Sequence, residues 1–210
     1  MSEDAQKPAD RGTNRSRTPQ SAEFLEYMSG NWADNAAHIT HADEVAPYAR
    51  IRREALAARF ANQTLVIAAG DAKQRSNDTD YRFRAHSAFS HLTGWGTNTV
   101  PGSVLVIQVG ASGHITDEAL YFRPTAGHDS NEFFANPAIG EFWVGQRPGL
   151  ELVSTSLSIT TRDVEDFVIP TGALWVGADA SGFEATDNDD LVEAVSELRL
   201  VKDSFEIAEM

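Results

Sequence analysis

Residues 64–69 read TLVIAA, an unbroken aliphatic run closed by Gly70 and Asp71. A run of this length, bounded by turn residues, predicts a strand covered on both faces. Two-sided cover needs layers packed on either side of a sheet, which places the chain in the α/β class. Residues 103–109 (SVLVIQV), 119–123 (ALYFR) and 174–177 (LWVG) repeat the strand pattern. Gly, Ser and Asp across residues 110–117 predict a longer hairpin loop between the second and third strands. Apolar stripes at helical spacing lie between and before these strands. Phe24, Leu25, Met28 and Trp32 form the first, with Ser21 as its cap and Gly30 as its end. Tyr48, Ile51, Ala55, Leu56 and Phe60 form the second, capped by Asp43 with Pro47 in its first turn. Arg50, Arg52, Arg53 and Arg59 surround that second stripe with Glu54, and predict a solvated face, with anion binding as the alternative. Further helices are expected over residues 130–136, over 161–168 through Val164, Phe167 and Val168, and through Leu191, Val192, Val195 and Leu198. Asp187, Asp189 and Asp190 favour the N-terminus of the last of these. Residues 149–161 give no clear reading.

Composition narrows the function. With no cysteine among 210 residues, disulfides, thiolate zinc sites and a thiol nucleophile are excluded, which fits a reducing, cytoplasmic setting. The formal charge is −14, a field that repels phosphate backbones and argues against nucleic-acid partners. No apolar run approaches a membrane span, so no membrane partner is expected. Residues 1–20 hold no large aliphatic or aromatic side chain and predict a disordered tail. Residues 21–198 then form one domain, and residues 199–210 begin something further. Asp203 and Glu206 have the spacing of a capping box, with Ile207 and Met210 opening an apolar stripe that stops after about two turns.

Motifs for chemistry are sparse. His38 and His41 share a helical face, but two ligands are too few for a metal site. Gly94-Trp95-Gly96 reads as a turn, and the His128-Asp129-Ser130 run carries no weight as a triad, which forms in space. The densest passage is residues 75–94, where Arg75, Asp78, Asp80, Arg82 and Arg84 alternate in sign among Tyr81, Phe83 and Phe89. Asn77-Asp78 begins a turn there, and Ser87 caps a short helix through Phe89 and Leu92. Two readings stay open on pattern alone. The segment is laced with local ion pairs, or it presents arginine and aromatic groups to a cleft or partner.

The same passage carries a resemblance. Asp80-Tyr81-Arg82-Phe83-Arg84, Ser87-Ala88-Phe89 and Leu92-Thr93-Gly94 resemble a run in the N-terminal domain of Xaa-Pro aminopeptidases (aminopeptidase P), most of all in actinobacterial members. Glu141-Phe142-Trp143-Val144-Gly145-Gln146-Arg147-Pro148-Gly149 is similar to the family's W-x-G-x-R-x-G. Ser196-Glu197-Leu198-Arg199-Leu200-Val201-Lys202-Asp203, with Glu206-Ile207, looks like the junction that opens its catalytic domain. The resemblance runs from about residue 45 to residue 210. It implies a mixed β-sheet with flanking helices, followed by a pita-bread catalytic domain missing from this chain. That domain would hold two divalent ions, usually manganese, on two Asp, one His and two Glu. A bridging hydroxide there attacks the peptide bond before proline. No residue of this chain takes a catalytic or metal-binding role on that reading. Tyr81, Arg82, Phe83, Arg84, Ser87, Phe89 and His91 become candidates for an interface or for shaping access to an active site. Ser90-His91 stands where the family often has an aromatic pair. The implied partners are the chain's own catalytic domain, further copies in a homo-oligomer, and proline-containing peptides. A free-standing binding or assembly module is the alternative. Prolidase and creatinase are weaker matches.

Overall fold

In the strand β1 (Thr64–Ala68), Leu65, Val66, Ile67 and Ala68 are all fully buried. The chain's structure, a computed structural model, describes residues 22–33, 41–76, 79–135 and 138–210. β1 pairs antiparallel with β2 (Val104–Val109) and parallel with β5 (Leu174–Val176). β2 pairs antiparallel with β3 (Ile115–Phe122), which pairs parallel with β4 (Thr161–Asp163), giving the order β4-β3-β2-β1-β5. The unbroken apolar run serves two faces by alternation. Leu65 and Ile67 join Leu105 and Ile107 in the larger core. Val66 and Ala68 join Val104, Val106 and Trp175 on the other face, with Phe167 and Phe183 against them.

Helices close the larger core. α2 (Ala46–Ala57), α3 (Ser87–Thr93), α6 (Leu150–Leu157) and α7 (Asp189–Leu198) contribute Leu56, Phe89, Leu157 and Leu191, all essentially buried. α1 (Ala22–Ser29), α4 (Asn131–Ala135) and α5 (Glu141–Val144) form a side group in which Phe24 meets Phe134 edge-on at 5.3 Å. α8 (Ser204–Glu209) ends the chain. Two glycines fix close approaches. A Cβ on Gly177, at φ +80°, would lie 2.7 Å from the Ala68 carbonyl oxygen at the ends of two neighbouring strands. One on Gly94, at φ +75° after α3, would lie 2.8 Å from Val45 Cγ1.

Several expectations are corrected. β3 starts at Ile115, so the hairpin connection is shorter than predicted. The first residues of β3 extend past β4, where Thr116 and Asp117 face water, and this polarity imitated a loop. Residues 161–168 are not a helix: β4 is followed by one 3-10 turn, Val164–Asp166, capped by Asp163. Parallel pairing with β3 outweighs a helical spacing too short to stand alone. The unread stretch after Gly149 holds α6. Asp43 does not cap α2. Its carboxylate accepts the Ser156 hydroxyl, and Val45 occupies the cap position, with Pro47 in the first turn. Trp32 lies beyond α1 and donates its indole N–H to the Met28 carbonyl at 2.6 Å. Asn188 caps α7, while Asp187 accepts the Ala178 N–H at 2.7 Å. The tail, Ser21, His38, Asn77 and Asp78 lie outside the described residues.

Candidate functional site: the passage after the first strand and the C-terminal clamp

The predicted face of α2 is where the structure departs furthest from the sequence. Arg53 is fully buried and Arg52 is 7% exposed. Arg53 Nε donates to Glu118 Oε2 at 2.7 Å, and its Nη1 donates to the Leu92 carbonyl at 2.8 Å. Arg50 reaches the same Glu118 at 3.0 Å from the exposed side. Helical geometry explains the burial. Position 53 stands four residues after Ala49 and three before Leu56, both on the buried face. That spacing is the sequence signal that separates Arg53 from the solvated arginines.

Arg52 ties three helices together. Its Nη1 donates to the His91 carbonyl on α3 at 3.0 Å, and its Nε donates to Asp203 Oδ2 before α8 at 2.8 Å. Nη2 lies 2.7 Å from the same oxygen without an aligned hydrogen bond, so the Nε contact is the directional one. Asp203 Oδ1 accepts the Glu206 N–H at 2.9 Å, and Glu206 Oε2 accepts the Asp203 N–H at 3.1 Å. The expected capping box is therefore present, and its aspartate also neutralises a buried arginine. His91 Nε2 lies 3.5 Å from Glu206 Oε1. Burial, reinforced by Arg52, pushes the His91 imidazole down to about 4 against the pull of Glu206. His86, the true N-cap of α3, is also lowered, by burial first and by Arg199 second. Burial opposes the Asp203 carboxylate, but the Glu206 N–H and Arg52 outweigh it and hold its pKa below the ordinary value.

The seven candidate side chains separate into three groups. Tyr81, Arg82 and Arg84 are exposed, Tyr81 at 60%. Arg75, Arg82 and Arg84 have no ion-pair partner among the described residues, and Asp78 of the expected ladder lies outside them. Backbone pairing ties the start of the passage to the residues before it. The Tyr81 N–H donates to the Lys73 carbonyl at 2.8 Å, and Gln74 bridges Asp80. Phe83 packs against the core, and Phe89 lies fully inside it, so Phe89 is no interface residue. Ser87 and His91 turn to the chain's end. The Ser87 hydroxyl accepts from Arg199, and His91 meets Glu206. The first and third sequence passages thus meet in space.

The second passage makes a polar clip. The buried Glu141 accepts from Thr125 Oγ1 at 3.1 Å, from the Ala126 N–H at 2.7 Å and from the Arg147 N–H at 3.1 Å. Arg147, 8% exposed, donates to the Pro124 and Ile139 carbonyls and to Glu132. An open groove of about 1130 Å³ runs between this clip, Gly94–Asn98 and α6. His128 stacks on Trp32 at 5.0 Å, and Ser130 receives the Phe133 N–H, so those neighbours form no triad. Among the described residues no group of three or more His, Asp or Glu gathers to hold a metal ion. The pair of manganese ions implied by the resemblance therefore has no fitting donor set in them.

A mixed five-stranded sheet with flanking helices is the fold of a known domain class. The pattern of the aminopeptidase P N-terminal domain matches residues 48–168, and the chain belongs to that family. It is 36% identical to Xaa-Pro aminopeptidase 1 of Streptomyces coelicolor over 99% of its own length and 44% of the relative's. Xaa-Pro aminopeptidase 2 of the same organism is 35% identical over 90% of this chain and 42% of the relative. The chain thus spans less than half the length of these relatives. Proline aminopeptidase P II from Yersinia pestis shares the fold, with a TM-score of 0.52 at 22% identity over 78% of this chain and 41% of that one. A zinc-substituted Escherichia coli aminopeptidase P in complex with product gives 0.50 at 20% identity over 74% and 33%. Among the described residues no helix is long and apolar enough to cross a membrane.

Proposed function

We propose that this chain is the non-catalytic N-terminal domain of a cytoplasmic, metal-dependent Xaa-Pro aminopeptidase. The parent enzyme removes the first residue from peptides with proline second. The domain's task is to hold subunits together and to shape access to the active site. Family membership and the activity named in the relatives support the enzyme class. Two manganese ions, on residues of a catalytic domain that follows, would supply the hydrolytic water. The observation that carries the domain's own role is the exposed Tyr81, Arg82 and Arg84 strip. Exposed arginines without an ion-pair partner among the described residues, on a chain of net charge −14, suit an acidic surface on the catalytic domain or on a sister subunit.

Two experiments test the proposal. Residues 1–210, given manganese and an Ala-Pro dipeptide, are expected to release no alanine above a blank. Metal-stimulated turnover would move the chemistry into this chain and overturn the assignment. Arg84→Ala in the full-length protein is expected to weaken oligomerisation or activity several-fold. The same change should leave the unfolding midpoint of the 210-residue chain within the ±0.5 kcal/mol typical of surface substitutions. An assembly and activity indifferent to the change would leave the strip as a solvated loop.

A further inference from the structure

α8 is six residues long, and two turns of helix are marginal on their own. Its hold on the domain is concentrated in few contacts. Phe205 packs on Tyr48 with ring centroids 5.4 Å apart. The Ser204 hydroxyl reaches the Tyr48 hydroxyl at 3.5 Å, and charge supplies the other contacts: Arg52 on Asp203, with Glu206 3.7 Å from Arg52 and 3.5 Å from His91. Arg52 and His91 have side chains only 8% exposed, and the acidic start of α8 contacts both. Ile207 and Met210, by contrast, are 64% and 91% exposed and contribute little to holding the helix down.

We propose that Arg52, His91, Asp203 and Glu206 form a latch that holds α8 on the domain at neutral pH and releases it in mild acid. With neutral His91, the clamp contains one buried cation facing two carboxylates. Protonating His91 puts a second cation beside Arg52, with Arg199 adding to the repulsion and Glu206 and Asp203 opposing it. Burial and Arg52 dominate, so the folded imidazole titrates at about 4 where a free one titrates at 6.5. A histidine depressed in this way stabilises the closed state above pH 6.5, and that contribution fades as pH falls through 6.5 towards 4. Lifting α8 returns the ring to water and relieves the conflict. Asp203, lowered from 3.8, weakens only in stronger acid, so at pH 5 its charge still faces Arg52, and the His91→Gln variant isolates the histidine. On the function proposed above a further domain follows α8, and the latch then sets the angle at which it leaves. The latch itself does not depend on that reading, and its test uses the 210-residue chain.

Amide-exchange protection factors, corrected for intrinsic rates, report the latch at Glu206 and Ile207. Their N–H groups donate to Asp203 Oδ1 at 2.9 Å and to the Asp203 carbonyl at 3.0 Å. Between pH 7 and pH 5 their protection is expected to fall about tenfold, while the amides of β1 stay protected. His91→Gln, neutral at every pH, should flatten that fall. Asp203→Asn keeps a cap acceptor but loses the charge facing Arg52, so it should lower protection already at pH 7. Protection that does not change with pH, an unaltered fall in His91→Gln, an unaltered value in Asp203→Asn, or simultaneous loss at β1 would each overturn the latch.

Discussion

Replacing Glu118 by Ala is expected to destabilise the chain by about 3–5 kcal/mol, the cost of leaving a buried cation without its partner. Arg53 is fully buried, and Glu118, with a side chain 9% exposed, is its only carboxylate within 4.0 Å among the described residues. The remaining Leu92 carbonyl accepts one guanidinium N–H but carries no charge. Glu118 sits on β3 opposite Ile107 of β2, so the pair also joins α2 to the middle of the sheet. Urea unfolding measures the loss. The double variant Arg53→Met, Glu118→Leu removes both charges and should recover most of it, because an apolar pair of similar volume avoids the desolvation cost. Glu54→Ala is the control. It breaks the Arg50–Glu54 contact on the exposed face of α2, where such pairs contribute about 0.3–0.5 kcal/mol. Equal effects from Glu118→Ala and Glu54→Ala would mean that the α2 arginines are the solvated set suggested by their composition.

The contrast between Arg50 and Arg53 shows where sequence reading stops. Both are arginines on one helix, and charge type alone assigns both to water. Their difference is angular: Arg53 shares the face of Ala49 and Leu56, whereas Arg50 lies beside it. Residues that bury on the sheet were legible because aliphatic runs such as 64–68 have one physical solution. β4 was not legible, because three residues, Thr161, Arg162 and Asp163, become a strand only through pairing with Leu120, Tyr121 and Phe122, some forty positions away. α6 was missed for a related reason. Its residues include Ser154, Thr155 and Ser156, which rank low as helix formers, while Val153 and Leu157 supply the burial that holds it.

The site was legible in kind but not in detail. The passage from Tyr81 to Gly94 stood out by its composition, and the packing of α3 beside α2 and the start of α8 decided which of its side chains face out. Arg82 and Arg84 precede α3 on a segment where alternation sends Phe83 inward between them, while Tyr81, two residues before Phe83, stays 60% exposed where the segment leaves the core. Once α3 begins, a helical period takes over, and Phe89 and Leu92 point to the core while His91 turns to α8. A motif that crosses from strand-like to helical geometry changes period inside itself. A single linear reading of it therefore mixes core and surface residues.

Phe89→Ala makes that distinction measurable. Phe89 is fully buried in the core that also holds Leu65, Leu105 and Leu120, and its removal is expected to cost about 3–5 kcal/mol through lost transfer energy and an unfilled cavity. The loss should appear in urea unfolding of the 210-residue chain alone, with no partner present, because every group that Phe89 packs against lies in this domain. Phe89→Leu, which refills most of the volume, should recover the greater part. The expected pattern is the reverse of that for Arg84→Ala, which should leave the isolated chain unchanged and act only in assembly or activity. A Phe89→Ala chain that keeps its unfolding midpoint would return the residue to the partner-facing set and undo the division of the passage into core and surface.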